Sequence, residues 1–588
     1  MLVYGHRSFT LELPAFLQQF TRRLESLPVA VPHDAIVDLL VDFAEAESAF
    51  ADALSPDRDD EVDALIPWRA ALDALTAAAC ASLESNRRAV GLRLATLARL
   101  AQTLPTAGRA TVAARVAEGF SCYALYPDQY VDAAARLDVR PHETVVCLGL
   151  RSIGAVLASL VASSLRARGV LAETRSVRPR GHPFDRRLEL GPALERFLDE
   201  HRLSRFVIVD EGPGLSGSSF AAAAEALAAH GVPDDRIVLM AAWRPDPCEL
   251  NSERGRGAIR RHRIVVGRSP SERLARRRAH GATGGATPGD VENVSAGEWR
   301  SLVYDDAERW PAVHPQHERV KFLAPASLLR GRRTTPDGTI VIRFAGLGRH
   351  GAAKLARARV LHEAGFVPAP IALQNGLIVE QWQEGPRLAR GQALAADALD
   401  RIGRYISFLR RAFPLDEEDD GGDLREMLRQ NAREGLGTDA ADALRLADAE
   451  WPRSARIAVD GRMLPHEWIV SRGQLTKADA LDHHADDFLP GCRDAAWDLA
   501  GACVEFDLGP QAREYLVQRY TRHSGDLEIR RRLPFFVATY LAYRLGYSSL
   551  AAAALDGTPD GDRFRRLREG YRRSLAAHAA RSRQTAPR

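Results

Sequence analysis

Asp210 and Glu211 stand side by side at the end of the apolar run VIVDE and lead into GPGLSGSSF, nine residues that hold three glycines and three serines. Ionised carboxylates only accept hydrogen bonds, which suits vicinal sugar hydroxyls. Free backbone N–H groups at a helix start suit a phosphate, and glycine lets the phosphate approach the backbone closely. Ser216, Ser218 and Ser219 add hydroxyl donors, and Gly214, Leu215 and Gly217 complete the turn. A sugar phosphate satisfies both halves of the motif. A helix start contributes only about 0.3–1 kcal/mol, whereas micromolar binding takes roughly 8 kcal/mol. Mg²⁺ and arginines are therefore expected to supply the rest.

The elements around these residues are legible. ETVVCLGL, RFVIVD and RIVLMAAW read as buried strands, and GAVLASLVASSLRARG and SSFAAAAEALAAHG read as helices that end at glycine. Strand, helix, strand, helix, strand predicts a parallel sheet with helices on its faces. The acids then lie at the carboxyl edge of the sheet, where open α/β sheets bind ligands. Before about residue 120 the chain has helical periodicity, as in HDAIVDLLVDFAEAESAFADAL, and reads as a packing or dimerisation segment. A homodimer is among the expectations.

The totals limit the function classes. A chain of 588 residues is too long for one core. Lys plus Arg number 80 against 77 Asp plus Glu, so charge gives no global argument for nucleic acid or a membrane surface. Abundant Arg and Ala read as a GC-rich coding bias. Six scattered cysteines form no CxxC pair, which removes the usual zinc and redox spacings. The start lacks the pattern of a signal peptide, no long apolar run suggests a membrane span, and the reading is cytoplasmic.

VIVDEGPGLSGSS resembles the phosphoribosyl-pyrophosphate signature of type I phosphoribosyltransferases over about 130 residues of the 588. The resemblance implies that Asp210 and Glu211 hold the ribose hydroxyls and that Gly214 to Ser218 cradle the 5-phosphate. It also implies a pyrophosphate loop at Arg151 and Ser152, in VVCLGLRSIGAVLASL, and a basic cover in SVRPRGHPFDRR, with Arg178 and His182 as catalytic candidates. The implied substrates are phosphoribosyl pyrophosphate and a small-molecule acceptor. Gly212-Pro213 and Leu215 depart from the family pattern.

GLGRHG, residues 346–351, formally matches GxGxxG, but no acid follows at the distance a dinucleotide site needs. The surrounding TIVIRFAG, the helix after it, and GFVPAPIALQNGLIVEQWQEG instead resemble the small lobe of aminoglycoside phosphotransferase-like kinases. That resemblance puts Arg343 in place of the phosphate-binding Lys, expects a helix glutamate that is missing, and implies ATP as phosphoryl donor. LTKADALDHH resembles the metal-binding strand end, with Asp479 as the implied metal ligand; Asp482 belongs to the DHHADD cluster, read either as a further metal site or as a solvated acidic turn. DAAWDLAGA resembles the late Asp-containing helix. The His-x-Asp catalytic loop is absent, and His466 and Glu467 in PHEWIV are the nearest substitutes.

The expected organisation is a multidomain α/β and α+β chain: helices to 120, a parallel-sheet phosphoribosyltransferase-like domain over 121–250, a basic connection over 251–318, a bilobal kinase-like domain over 319–560 and a basic tail over 561–588. Mg²⁺-dependent phosphoribosyl transfer is the leading expectation. The alternatives are an ATP-dependent small-molecule phosphotransferase and a regulator that binds a nucleotide or sugar phosphate without turnover.

Overall fold

The computed structural model describes residues 1–3, 8–140, 142–268, 291–329, 338–419, 421–438, 444, 454–471, 473–486 and 488–585. Part of the expected basic connection, residues 269–290, lies outside these. The chain divides into two compact units where five segments were expected. An N-terminal unit comprises His6–Pro288 and Gly346–Ala352, and a C-terminal unit comprises Met1–Gly5, Gly289–Ala345 and Ala353–Arg588.

In the N-terminal unit, β1 (Ser8–Glu12) and β2 (Thr111–Arg115) pair antiparallel across the helical region, a strand pair the helical reading missed. The predicted parallel sheet is present. β3 (Thr144–Leu150), β4 (Leu171–Val177), β7 (Arg205–Val209), β8 (Ile237–Ala241) and β9 (Arg263–Val266) pair in the order β4-β3-β7-β8-β9, all parallel. The side chains of β3, β7 and β8 are buried almost throughout, as parallel strands covered by helices require, while the edge strands β4 and β9 are only partly buried; Val146, Ile208, Leu239 and Phe220 share one core. Each such side chain contributes roughly 1.5–3 kcal/mol on leaving water. Between β4 and β7 the chain inserts a small hairpin, β5 (Arg180–His182) with β6 (Asp185–Arg187). The connection read from residue 251 in fact begins with helix Glu253–Arg261 and the edge strand β9.

The sequence reading expects no membrane span. By length and composition Asp63–Leu83 is nonetheless apolar enough to cross one, although 61% of its apolar window is buried within the fold. Trp68 in this stretch lies 5.4 Å from the Phe43 ring and 5.0 Å from Phe50.

The C-terminal unit opens with an antiparallel sheet. β10 (Glu292–Asn293), β11 (Lys321–Pro325), β12 (Thr339–Phe344), β13 (Pro370–Gln374) and β14 (Leu377–Gln381) run in the order β10-β11-β12-β14-β13. Among the described residues the rest is mainly helical, with two further strand pairs. β15 (Pro414–Asp419) pairs with β16 (Ser454–Ile457), and β17 (Trp468–Ser471) pairs with β18 (Gln474–Lys477). Trp468, Trp497, Tyr405 and Phe536 anchor its core. The stretch expected as a basic tail belongs to helix Pro559–Thr585, whose Tyr571 and Leu575 are fully buried. Basic residues on its outer face hid an apolar stripe.

Candidate functional site

In the N-terminal unit the order β4-β3-β7 places Arg178, Arg151 with Ser152, and Asp210 with Glu211 along one carboxyl edge. This is the switch point where such sheets bind ligands. The two loops approach closely: a Cβ on Gly154 would lie 2.4 Å from the Val209 carbonyl oxygen. Tyr130 Oη donates to the Asp210 carbonyl at 2.6 Å. Burial raises the Asp210 carboxyl to about 7. Gly217, at φ +69°, caps helix Ser218–Ala229 in the left-handed region that glycine adopts without strain.

The groups expected to hold anions are committed to the chain itself. Ser216 and Ser218 hydroxyls donate to the Pro183 carbonyl at 2.8 and 2.7 Å, tying the loop to the β5–β6 hairpin. Arg178 pairs with Asp52 and donates to the Arg151 carbonyl. Arg151 pairs with Asp52 and with Asp59, which is 1% exposed. Arg180 also pairs with Asp59, at 2.8 Å. These three guanidinium groups are engaged by the two carboxylates Asp52 and Asp59. His182 stands exposed in the hairpin, its ring 5.6 Å from Phe184. Leu215 and Gly214 are exposed at the loop tip, and Ser219 is half-buried in the first turn of the helix. GLGRHG makes ion pairs in place of a phosphate cradle: Arg349 with Asp42 and Glu45, and His350 with Glu45.

In the C-terminal unit a pocket gathers most of the other candidates. Arg343, Glu467, Asp479, Asp482 and His466 line it. Arg343 on β12 faces Ile378 of β14, so Glu380, two residues on, shares its side of the sheet. Arg343 Nε donates to Glu380 at 2.9 Å and Nη1 to Asp479 at 2.8 Å. The carboxylate beside Arg343 thus comes from the neighbouring strand β14. The helix Gly348–Glu363 contributes cations instead. Lys354 lies 3.6 Å from Asp482, and Arg357 donates to the carbonyls of Ala480, Ala458 and Val459.

The β17–β18 hairpin places Trp468 opposite Lys477, and so sets Lys477 beside Glu467. Lys477 is fully buried; its ammonium donates to Glu467 at 2.7 Å and lies 3.1 Å from Asp460. Glu467 also accepts from Arg462 at 2.9 Å. Asp460 was not read from the sequence, because VDG lacks the His-x-Asp spacing. Burial pushes its carboxyl up, but Lys477 and His483 outweigh this and hold it well below the usual range. Asp498 anchors the same turn, accepting from the Asp460 and Gly461 N–H groups at 2.7 and 2.8 Å. Burial raises Asp498 itself to about 7. Burial and Arg462 push the His483 imidazole down, and Asp479 with Asp460 more than reverse this, raising it to about 9. Arg319 holds Asp482 and Asp486 at 2.8 and 2.9 Å.

His466 does not join the acids. Its ring stacks on Trp299, with centroids 5.9 Å apart, and burial together with Arg462 and Arg387 keeps it neutral. Trp299 belongs to a segment that also brings His314 and His317 to the pocket and is fixed by Arg300 on Asp560. The His314 ring stacks 3.8 Å from His317, and His317 stacks 3.6 Å from Phe488. Burial lowers His314 to about 4, against an ordinary 6.5. Between those values the unfolded chain carries a proton that the folded chain does not. Stability is therefore lost as pH falls from about 6.5 to 4, by about 3 kcal/mol from this group. The expected result is a flatter dependence of the melting midpoint on pH in His314→Phe than in the wild type; equal slopes would remove His314 from the account.

No protein-family model matches this chain, and no curated protein matches it. Solved structures similar to part of it include the choline kinase LicA from Streptococcus pneumoniae, at 15% identity over 43% of this chain and 89% of that one, with a TM-score of 0.29. Spectinomycin phosphotransferase APH(9)-Ia, in complex with ADP and spectinomycin, is 11% identical over 53% and 98%, with a TM-score of 0.35. Macrolide 2'-phosphotransferase MphH from Brachybacterium faecium is 16% identical over 54% and 99%, with a TM-score of 0.31. Likenesses at these scores carry no weight for the site, whose reading rests on its own residues.

Proposed function

We propose that the C-terminal unit is an ATP-dependent phosphotransferase acting on a small molecule. One observation carries this reading: a single pocket brings Arg343 from an antiparallel sheet against Asp479 at the end of a hairpin, with Glu467 at the start of that hairpin and Arg462 beside it. Phosphoryl transfer spreads negative charge over the equatorial oxygens of the group in flight, and catalysis is mainly positioning and charge stabilisation. Arg343 and Arg462 are the cations at hand for that charge. Asp479 is the carboxylate assigned to the acceptor hydroxyl. Its Oδ1 is held by Arg343, while its Oδ2 meets only longer contacts, 3.6 Å to His483 and 3.8 Å to Arg462.

The test is a screen of hydroxylated and amino small molecules with labelled ATP, run beside Asp479→Asn. Transfer to an acceptor that falls at least 100-fold in the variant supports the reading. Undiminished transfer by the variant removes Asp479 from the chemistry. A second reading, nucleotide binding without turnover, is favoured by one feature: Asp460 is fully buried against Lys477 and forms no part of the pocket wall. Saturable ADP binding with no product from any acceptor would identify it. Phosphoribosyl transfer by the N-terminal unit has no comparable support, since the Ser216 and Ser218 hydroxyls it needs are engaged by the Pro183 carbonyl.

A further inference from the structure

A kinase-like pocket implies Mg²⁺ between its carboxylates and the phosphates of the nucleotide. The donor set here does not fit that ion. Mg²⁺ demands near-octahedral oxygen ligands at about 2.0–2.1 Å. The place between Asp460 and Glu467 is filled by the Lys477 ammonium. It lies 2.7 Å from Glu467 Oε2 and 3.1 Å from Asp460 Oδ2, and it also donates to the Asp479 carbonyl. Three oxygens match its three N–H donors. The second oxygen of Glu467 accepts from Arg462 at 2.9 Å.

The neighbouring carboxylates are held likewise. Asp479, Asp482 and His483 bring ligand atoms within 4.8 Å of one another. Arg343 already takes Asp479, Arg319 takes Asp482 together with Asp486, and Lys354 stands 3.6 Å from Asp482. An imidazole is also a poor partner for a hard, oxygen-seeking ion. A dication placed here would either expel a buried ammonium from its pair or sit against it, and both leave uncompensated buried charge.

We propose that Lys477 stands where a divalent cation would bind, and that the pocket takes its phosphate-bearing ligand on the chain's own cations without a divalent metal at that position. The ligand half of this rests on the phosphotransferase reading. The metal half rests on the side chains alone, and the two are tested separately.

The metal half is tested with Mn²⁺ on the full chain, followed by electron paramagnetic resonance. Wild type is expected to bind no stoichiometric Mn²⁺ in this pocket. Lys477→Ala, which removes the ammonium and its stem from between Asp460 and Glu467, is expected to gain one equivalent. One equivalent bound by the wild type and lost in Asp479→Asn overturns the proposal, as does a folded Lys477→Ala that gains none. Should that variant fail to fold, the wild-type and Asp479→Asn titrations still decide. The ligand half is tested by calorimetric titration with ADP, in Mg²⁺ and in excess EDTA. Dissociation constants within threefold of each other are expected. A tenfold or greater weakening in EDTA overturns it. Absence of ADP binding in both conditions overturns the nucleotide reading, and the Mn²⁺ titration then stands by itself.

Discussion

Arg343→Met is expected to destabilise the C-terminal unit by about 3–5 kcal/mol, the range for breaking a buried ion pair by removing one partner. Glu380 is 3% exposed and Arg343 6%, so neither charge has water to fall back on. Burial pushes the Arg343 guanidinium down, and Glu380, Asp479 and Asp482 together outweigh it and hold it well above the usual range. Without the guanidinium, Glu380 loses its charge partner at 2.9 Å and Asp479 its partner at 2.8 Å. Arg343→Lys should rescue only in part, because a point charge on a single stem does not hold two carboxylates as a planar fork does. Arg343→Met with Glu380→Gln should recover part of the loss, since the stranded charge is then absent. Hydrogen exchange over β12 and β14 reads this unit without assuming that the whole chain melts in one step. A loss below 1 kcal/mol would mean that the pair is hydrated and that Arg343 is not the fixed point of the pocket.

The parallel sheet was legible because its strands are continuous apolar runs, TVVCLGL, RFVIV and IVLMA, the first two each followed by a helix that ends near glycine. The edge strand RIVV was not, because basic residues on either side of a four-residue run hide it. The N-terminal strand pair joins residues about 100 positions apart, and no local pattern announces such a partner. At the sites, the residue types were legible but their partners were not. Arg343 and Asp479, both named from the sequence, line one pocket. Glu380 could have been found from GLIVEQ, where an acid interrupts an apolar strand two positions beyond the residue facing Arg343. Lys477 could not, because only the hairpin register sets it beside Glu467. Asp460 was hidden by a search for His-x-Asp; the Asp-Gly before RMLPHEW was its only mark. The serines and arginines near Asp210 were read as open to an anion because their partners, Pro183, Asp52 and Asp59, are separated from them by tens of residues or more.

Those partners lead to the second large effect. Asp59→Ala is expected to destabilise the N-terminal unit by about 3–5 kcal/mol. Asp59 accepts from Arg151, from Arg180 at 2.8 Å and from the Arg178 backbone N–H at 2.7 Å. Its own backbone is fixed too, with N–H to the Glu189 carbonyl at 2.8 Å and its carbonyl accepting from Gly191 at 2.7 Å. Alanine keeps those backbone bonds, takes the carboxylate from Arg180 and leaves Arg151 only Asp52, at 3.2 Å. Arg151, at 5% exposure, is the more costly of the two, since burial already lowers its guanidinium to about 10. Asp59→Asn should lie between, because an amide still accepts but leaves the positive charge unbalanced. Hydrogen exchange over β3 and β4 should loosen in both variants while β12 and β14 stay protected. If exchange over β3 and β4 is unchanged, the carboxylate is not a structural member of the sheet edge. Its pairing with Arg151 would then be one that a bound anion displaces at little expense, and the edge would be an anion site held shut by its own aspartates rather than one closed for stability.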